Sequence, residues 1–259
     1  MRIAIRMIGI ATSIFWIFLI IFSVSAMYSM KDIQMDFGEP QTSVTADGEM
    51  VLSLPITVIN RGLYDLGYFN VSTLVMDQQG SVIARASTFL PVIRKGEAVS
   101  TSHDVRLNLT DLLGNYQNFL FNDAELRVSE AVSLRAAQLI PVQASAEHSM
   151  PWGAPLYDFA LGTPEFSAYN ATHSRVTVPL IFENHASFDL AGTVQLRMYN
   201  SSNVLTGEEQ TAVQAWQHSP YQGDLELYVP FEGVTAGGRF EVSFVTPFFN
   251  YGPVVIPYG

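Results

Sequence analysis

LPITVINRGLYDL, residues 54–66, returns as VPLIFENHASFDL, residues 178–190. The stretches match in register: Pro55 with Pro179, Asn60 with Asn184, Tyr64 with Phe188, Asp65 with Asp189 and Leu66 with Leu190, each pair 124 positions apart. The match runs back without insertion to Gly38-Glu39-Pro40 and Gly162-Thr163-Pro164. A period this long is the size of a small domain, so the repeat implies a duplicated folding unit. In the first copy Met50, Leu52, Leu54, Ile56 and Val58 point one way along an extended chain, the period of two of a β-strand. A proline inside a strand removes a ladder donor, so Pro55 and Pro179 are expected at a sheet edge, a strand start or a bulge.

Working outward, residues 68–77 read as a strand, Gln78-Gln79-Gly80 as a turn and residues 81–89 as the returning strand of a hairpin. Pro91 and Arg94-Lys95-Gly96 mark a loop, and residues 97–109 alternate again. Leu112, Leu113, Tyr116, Phe119 and Leu120 recur at helical spacing behind Thr110, a candidate cap. They predict one short helix covering an open end of the first unit. Residues 224–231 read as a strand ahead of a glycine-rich loop at 233–238, and residues 124–143 and 239–246 supply the last strands of the two units. Between the units, QASAEHSMPWGAP, residues 143–155, has the small residues, proline and glycine of a connector. The expected fold is mainly β: two tandem Ig-like antiparallel β-sandwiches over residues 34–143 and 157–259, joined by a linker at 144–156.

Ahead of them, residues 7–27, MIGIATSIFWIFLIIFSVSAM, carry no charge. At 1.5 Å per residue they are long enough to cross a hydrocarbon core of about 30 Å. A transmembrane helix is predicted over residues 7–28, behind a tip at 1–6, with the lipid bilayer as its partner. Val24-Ser25-Ala26 offers the alternative of a cleaved secretory signal, although the apolar run exceeds the usual signal core, which favours retention. Arg2 and Arg6 precede the run, whereas Lys31 is soon followed by Asp32, Asp36 and Glu39. The positive-inside bias therefore places the N-terminus in the cytoplasm and the bulk of the chain outside the cell membrane.

The net charge is −11, and residues 28–150 hold 8 basic and 14 acidic side chains against 3 and 10 in residues 151–259. Acidic surfaces repel phosphate backbones, which argues against nucleic acid as a partner. With no cysteine, disulfides, thiolate metal sites and a cysteine nucleophile are excluded.

The order Gly-x-Pro, a strand entered through proline, Asn, then Tyr/Phe-Asp-Leu, a strand, a glycine turn and a strand resembles the water-stress and hypersensitive-response domain of the type 2 late embryogenesis abundant proteins. Pro55, Val58, Asn60, Tyr64 and Leu66 carry the resemblance in the first copy, and Pro179, Asn184, Phe188 and Leu190 in the second. The family's Asn-Pro pair is replaced by Asn60-Arg61 and Asn184-His185. The resemblance implies small sandwiches of two antiparallel sheets with a short helix, often displayed behind one N-terminal membrane helix, and no enzymatic activity.

The residues themselves point away from catalysis. His103, His148, His173, His185 and His218 never pair at the spacing that lets two imidazoles meet one metal. No nucleophile elbow, zinc-protease, P-loop or dinucleotide motif occurs, so no cofactor or metal is expected. Asp65 and Asp189 read as carboxylates that accept backbone N–H groups and hold a loop, as do Asn60 and Asn184. Asn70, Asn108, Asn170 and Asn200 each open an Asn-x-Ser/Thr glycosylation pattern. Phe248, Phe249, Tyr251 and Tyr258 crowd the end of the chain, and Trp152 stands in the connector. They are core residues or, in the sharper reading, a surface for a partner or a lipid. The expectation is a single-pass, membrane-anchored, extracytoplasmic structural or interaction protein, an accessory of a membrane or envelope complex. Binding of a lipid or hydrophobic ligand in a sandwich groove is the alternative, and a surface filament subunit a lower one.

Overall fold

The computed structural model describes residues 2–45 and 47–259, with side chains from residue 12 onward apart from Ala46. Met1, which begins the expected tip, lies outside them. Helix α1 (Arg2–Ser29) and a single 3-10 turn (Met30–Asp32) lead into β1 (Ile33–Phe37), β2 (Gln41–Val44), β3 (Glu49–Asn60), β4 (Leu66–Met76), β5 (Val82–Ile93) and β6 (Ala98–Asn108). Two short helices, α2 (Leu109–Asn115) and α3 (Asn118–Phe121), precede β7 (Ala124–Ala136) and β8 (Ile140–Trp152). The rest is β9 (Tyr157–Leu161), β10 (Glu165–Ala168), β11 (His173–Asn184), β12 (Leu190–Asn200), β13 (Leu205–Ala215), β14 (Ser219–Pro230), β15 (Gly238–Val245) and β16 (Asn250–Tyr258).

Among the described residues the strands form four antiparallel sheets of four. In the first, β1, β2 and β6 pair with β3, and the second runs β5-β4-β7-β8. The third places β9, β10 and β14 on β11, and the fourth runs β13-β12-β15-β16. Strand for strand, the later pair of sheets repeats the earlier pair, so the sequence repeat is a repeat of topology. By backbone packing the chain divides into two compact units: Met1–Gln41, Leu52–Arg106 and Arg127–His148 form one, and Thr42–Val51, Leu107–Leu126 and Ser149–Gly259 the other.

The core of the first unit draws on both of its sheets: Ile56 and Val58 from β3 meet Leu66, Phe69 and Val71 from β4, Ile93 from β5 and Leu134 from β7. In the other unit Val176, Val178, Leu180 and Phe182 are buried on β11, and Val194, Leu196, Val242 and Phe244 are buried on the other sheet. The rings of Phe182 and Phe244 lie 6.1 Å apart. Each such side chain contributes roughly 1.5–3 kcal/mol on leaving water.

Pro55 and Pro179 depart from expectation, because each stands within a central strand rather than at an edge. Strand β1 ends with Phe37 opposite Ile56, and the chain then passes Pro55 through Gly38, whose nitrogen donates to the Pro55 carbonyl at 2.9 Å. In the second copy β9 reaches Leu161 opposite Leu180, β10 begins with Glu165 opposite Thr177, and the Gly162 nitrogen bonds the Pro179 carbonyl at 2.8 Å. A strand residue aims its N–H and C=O at the same neighbour. The missing N–H of each proline therefore faces the gap between two short strands.

Four other expectations are corrected. Pro91 lies within β5, at the edge of its sheet, where a missing donor is tolerated. The connector is strand as far as Trp152, since β8 forms the other edge of that sheet. Instead of one helix over the first unit there are α2 and α3, which pack in the second. Asn108, not Thr110, caps α2, its Oδ1 accepting the Asp111 N–H at 3.0 Å, and Leu156 N–H bonds the Leu120 carbonyl at 2.8 Å.

Candidate functional site

The duplicated loop after β3 and β11 organises each unit by the same hydrogen bonds. Asn60 and Asn184 are fully buried. The Asn60 amide donates to the carbonyls of Tyr64 and Ile93, while its Oδ1 accepts Gly62 N–H. The Asn184 amide donates to Phe188, Ala215 and Trp216, and its Oδ1 accepts Ala186 N–H. The carboxylates reach further than a local turn: Asp65 accepts Lys95 N–H at 2.8 Å and Asp189 accepts Gln217 N–H at 2.9 Å. Each ties its loop to the connection that crosses from one sheet to the other, β5–β6 in the first copy and β13–β14 in the second.

What differs between the copies is what the loop receives. In the first it receives helix α1. Ser25 Oγ meets Tyr64 Oη at 2.8 Å, the Phe22 and Tyr64 rings pack edge to face at 5.7 Å, and Leu63 N–H donates to Ser29 Oγ at 2.7 Å. Ala26 and Ser29 are buried by this seat. The helix then exits past Lys31, whose ammonium lies over the Tyr28 ring. In the second copy the loop receives residues 152–154: His185 N–H bonds the Ala154 carbonyl at 2.9 Å, and Phe188 packs on Trp152 and Phe248.

Among the described residues α1 is the one helix long and apolar enough to cross a membrane, over Thr12–Asp32. Ile14, Ile17, Phe18, Ile20 and Ile21 are exposed along it. On one flank, Phe15, Phe18, Leu19, Phe22 and Ser23 line an apolar cleft of about 520 Å³ together with Leu139 of the β7–β8 turn.

Of the two readings of the C-terminal aromatics and Trp152, the structure carries packing further than an exposed surface. Trp152 and Phe249 are buried, and Phe248, Tyr251 and Tyr258 are half-buried. Trp152 donates its indole N–H to the Phe119 carbonyl at 2.9 Å. Tyr251 packs on Phe121, Phe249 on Phe244, and Tyr258 on Phe240. These rings are packing, a reading their spacing already permitted.

The glycosylation-pattern asparagines all have structural partners. Asn70 accepts Ser87 Oγ–H from its position in β4, and Asn108 caps α2. Asn170 and Asn200 each close a turn by accepting backbone N–H groups, from Thr172 and His173 and from Ser202 and Val204. Asn108 and Asn170 are exposed, while Asn70 and Asn200 are half-buried.

Among the described residues no group of three His, Cys, Asp or Glu side chains could hold a metal. His103 is buried between the hydroxyls of Thr73 and Thr88, and burial lowers its pKa. His185 is the other constrained imidazole: Nε2 meets Glu183 at 2.9 Å, Nδ1 meets Asp123 at 2.8 Å, and the ring stacks on Tyr157. Its hydrogen bonds, to Glu183 first and then Asp123, raise its pKa. With both nitrogens facing carboxylates the ring acts as a clamp between Glu183 and Asp123, and the site favours its protonated form.

No protein-family model and no curated protein matches the chain. Solved structures similar in part include the ApaA protein of Bordetella pertussis, at 12% identity and TM-score 0.30, covering 46% of this chain and 92% of that one. Red sea bream transglutaminase is 16% identical with TM-score 0.28, covering 88% and 31%. A β-glucuronidase of glycoside hydrolase family 2 is 9% identical with TM-score 0.32, covering 79% and 23%. The chain thus spans under a third of the length of the latter two.

Proposed function

We propose that this chain is a single-pass, membrane-anchored protein that displays two β-sandwiches of the type 2 late embryogenesis abundant kind outside the cell membrane, as a structural or interaction accessory of a membrane or envelope complex. The observation that carries the reading is the seat of α1. The helix presents Ile14, Ile17, Ile20 and Ile21 outward, whereas its last turns are hydrogen-bonded and buried against the Asn60–Tyr64 loop. An apolar helix whose outer face is bare and whose end is docked is what an anchor continuous with its domain requires.

The repeated sheet topology supports the paired sandwiches, and the roles of Asn60, Asn184, Asp65 and Asp189 are those of fold-determining residues. The imidazoles of His103 and His185 are held in hydrogen bonds to neighbouring side chains, which favours a binding or scaffolding role over an enzyme. Exposed Asn108 and Asn170 are the better placed glycan acceptors. Lipid handling in a sandwich groove loses its support with the packing of Phe249, Tyr251 and Tyr258.

The cysteine-free sequence makes the test direct. Ser202→Cys, in an exposed turn, should react with a membrane-impermeant maleimide on intact cells, and the chain should remain in membranes after alkaline carbonate washing. Release by carbonate, or labelling only after lysis, overturns the reading. Recovery of the detergent-solubilised chain without any stoichiometric membrane protein would remove the accessory role.

A further inference from the structure

The turn between β7 and β8 lies at a depth that a loop of a water-exposed domain would not reach. Leu139 shares its cleft with Phe15, Phe18, Leu19, Phe22 and Ser23, so it stands alongside the middle of α1 rather than at its end. A hydrocarbon core of about 30 Å takes up about 20 helical residues. Counted from just after Arg6, the core extends to about residue 26, and counted from Ile3 it extends to about residue 22. Phe15, Phe18, Leu19 and Phe22 lie within it in both placements. To leave Leu139 in water, the core would have to end before Phe15, and even residues 3–14 at about 18 Å fall short of about 30 Å.

The turn is built for that position. Leu139 is 69% exposed, a bare apolar tip, and residues 136–146 carry no charge. Ala137 and Gln138 are both at positive φ, 50° and 59°, the tight two-residue hairpin geometry that makes a narrow, rigid end. The Leu139 N–H closes on the Ala136 carbonyl at 3.1 Å. The nearest charge along the chain on the β7 side, Arg135, folds back over the Tyr68 ring, which neighbours Phe89 6.0 Å away, and both rings are exposed. Exposed aromatic rings with a cation above an apolar tip match the layering of a membrane interface.

Resting on the anchor reading, we propose that the β7–β8 turn is a second membrane contact: Leu139 enters the leaflet beside α1, and the cleft between them holds a lipid acyl chain. The domain is thereby fastened to the bilayer at two points, which fixes its tilt where a lone helix would leave it free to swivel.

The experiment places a nitroxide label at Leu139→Cys, and separately at Ile17→Cys, in the full chain reconstituted into phosphatidylcholine nanodiscs. Collision rates with oxygen, which partitions into lipid, and with a water-soluble nickel chelate are compared with those of free label in buffer. Both sites should show raised oxygen and lost nickel collisions, and doxyl-phosphatidylcholine should broaden the label at 139. Nickel access at 139 with protection at 17 overturns this inference and leaves the anchor intact. Nickel access at 17 overturns the anchor reading and this inference with it. Because Leu139 is exposed, its replacement does not open the core, and an unchanged melting curve verifies the fold.

Discussion

The backbone nitrogen of Gly162 donates to the carbonyl oxygen of Pro179 across 2.8 Å, and Gly38 does the same to Pro55 across 2.9 Å. In both copies the glycine lies against the proline ring so closely that a side chain there would intrude. A Cβ at Gly162 would meet Pro179 Cβ and Cγ at 2.9 Å, and one at Gly38 would meet Pro55 Cβ at 3.1 Å. A strand can thus carry a proline at its centre if the neighbouring chain breaks there and closes over it.

Gly162→Ala should therefore destabilise the fold by about 1–3 kcal/mol, the usual cost of overpacking, with Gly38→Ala milder because its gap is wider. Paired urea denaturation curves check this. Equal midpoints for Gly162→Ala and the native chain would remove the close approach as the reason for glycine.

The buried asparagines yield a prediction that separates shape from hydrogen bonding. Asn184→Asp preserves volume but removes the amide that serves Phe188, Ala215 and Trp216, and it adds a buried carboxylate. Each orphaned carbonyl costs about 1–3 kcal/mol, so a loss of ~3 kcal/mol or more is expected at pH 7. The loss should shrink as the introduced carboxyl is protonated in acid. Denaturation midpoints measured at pH 7 and pH 4 check both parts.

These residues show how far the sequence was legible. Asn60, Asn184, Asp65 and Asp189 were readable because a tight loop needs side-chain acceptors and donors wherever it occurs, and the repeat displayed that need twice. The central position of Pro55 was not, because the chain break that accommodates it lies some fifteen residues upstream. Strand β8 was hidden because an edge strand needs only backbone pairing on one side, and its small polar side chains read as a connector. Leu139 carried no sequence signal: one leucine in a turn has meaning only beside Phe15 and Phe22. The aromatic C-terminus was ambiguous for the opposite reason, since rings at period two serve a core and an exposed face alike.

His185 makes stability depend on pH. Its folded pKa is raised by hydrogen bonds to Glu183 and Asp123, so the folded chain binds its proton more tightly than the unfolded chain does. Its contribution is full below the unfolded value of about 6.5 and is lost as pH rises through the folded value. Both carboxylates are half-exposed, which screens the effect to a small one. His103, its pKa lowered by burial, works in the opposite sense and stabilises above that same unfolded value. Comparing the native chain with His185→Gln cancels His103: the native advantage should be larger at pH 5.5 than at pH 8.5, by thermal melting at both. An advantage that grows with pH would show that the clamp is not cationic.

The seat of α1 is the sharpest mechanical test of the anchor. A Cβ at Gly62 would lie 2.4 Å from Ser29 Oγ and 2.9 Å from the Ser29 carbonyl, so Gly62→Ala must push the helix end off its loop. That breaks the Leu63–Ser29 bond and exposes the turn Met30–Asp32 that leads into β1. The expected cost is about 1–3 kcal/mol, felt as faster amide exchange and proteolysis around residues 29–33 in detergent, while Asn184 and its loop stay protected. Ser29→Ala alone should be milder, because it deletes one hydrogen bond without moving the backbone. The double variant should recover part of the Gly62→Ala loss, since the nearer clash is with the hydroxyl. Simple additivity of the two losses would mean that the helix end does not rest on Gly62.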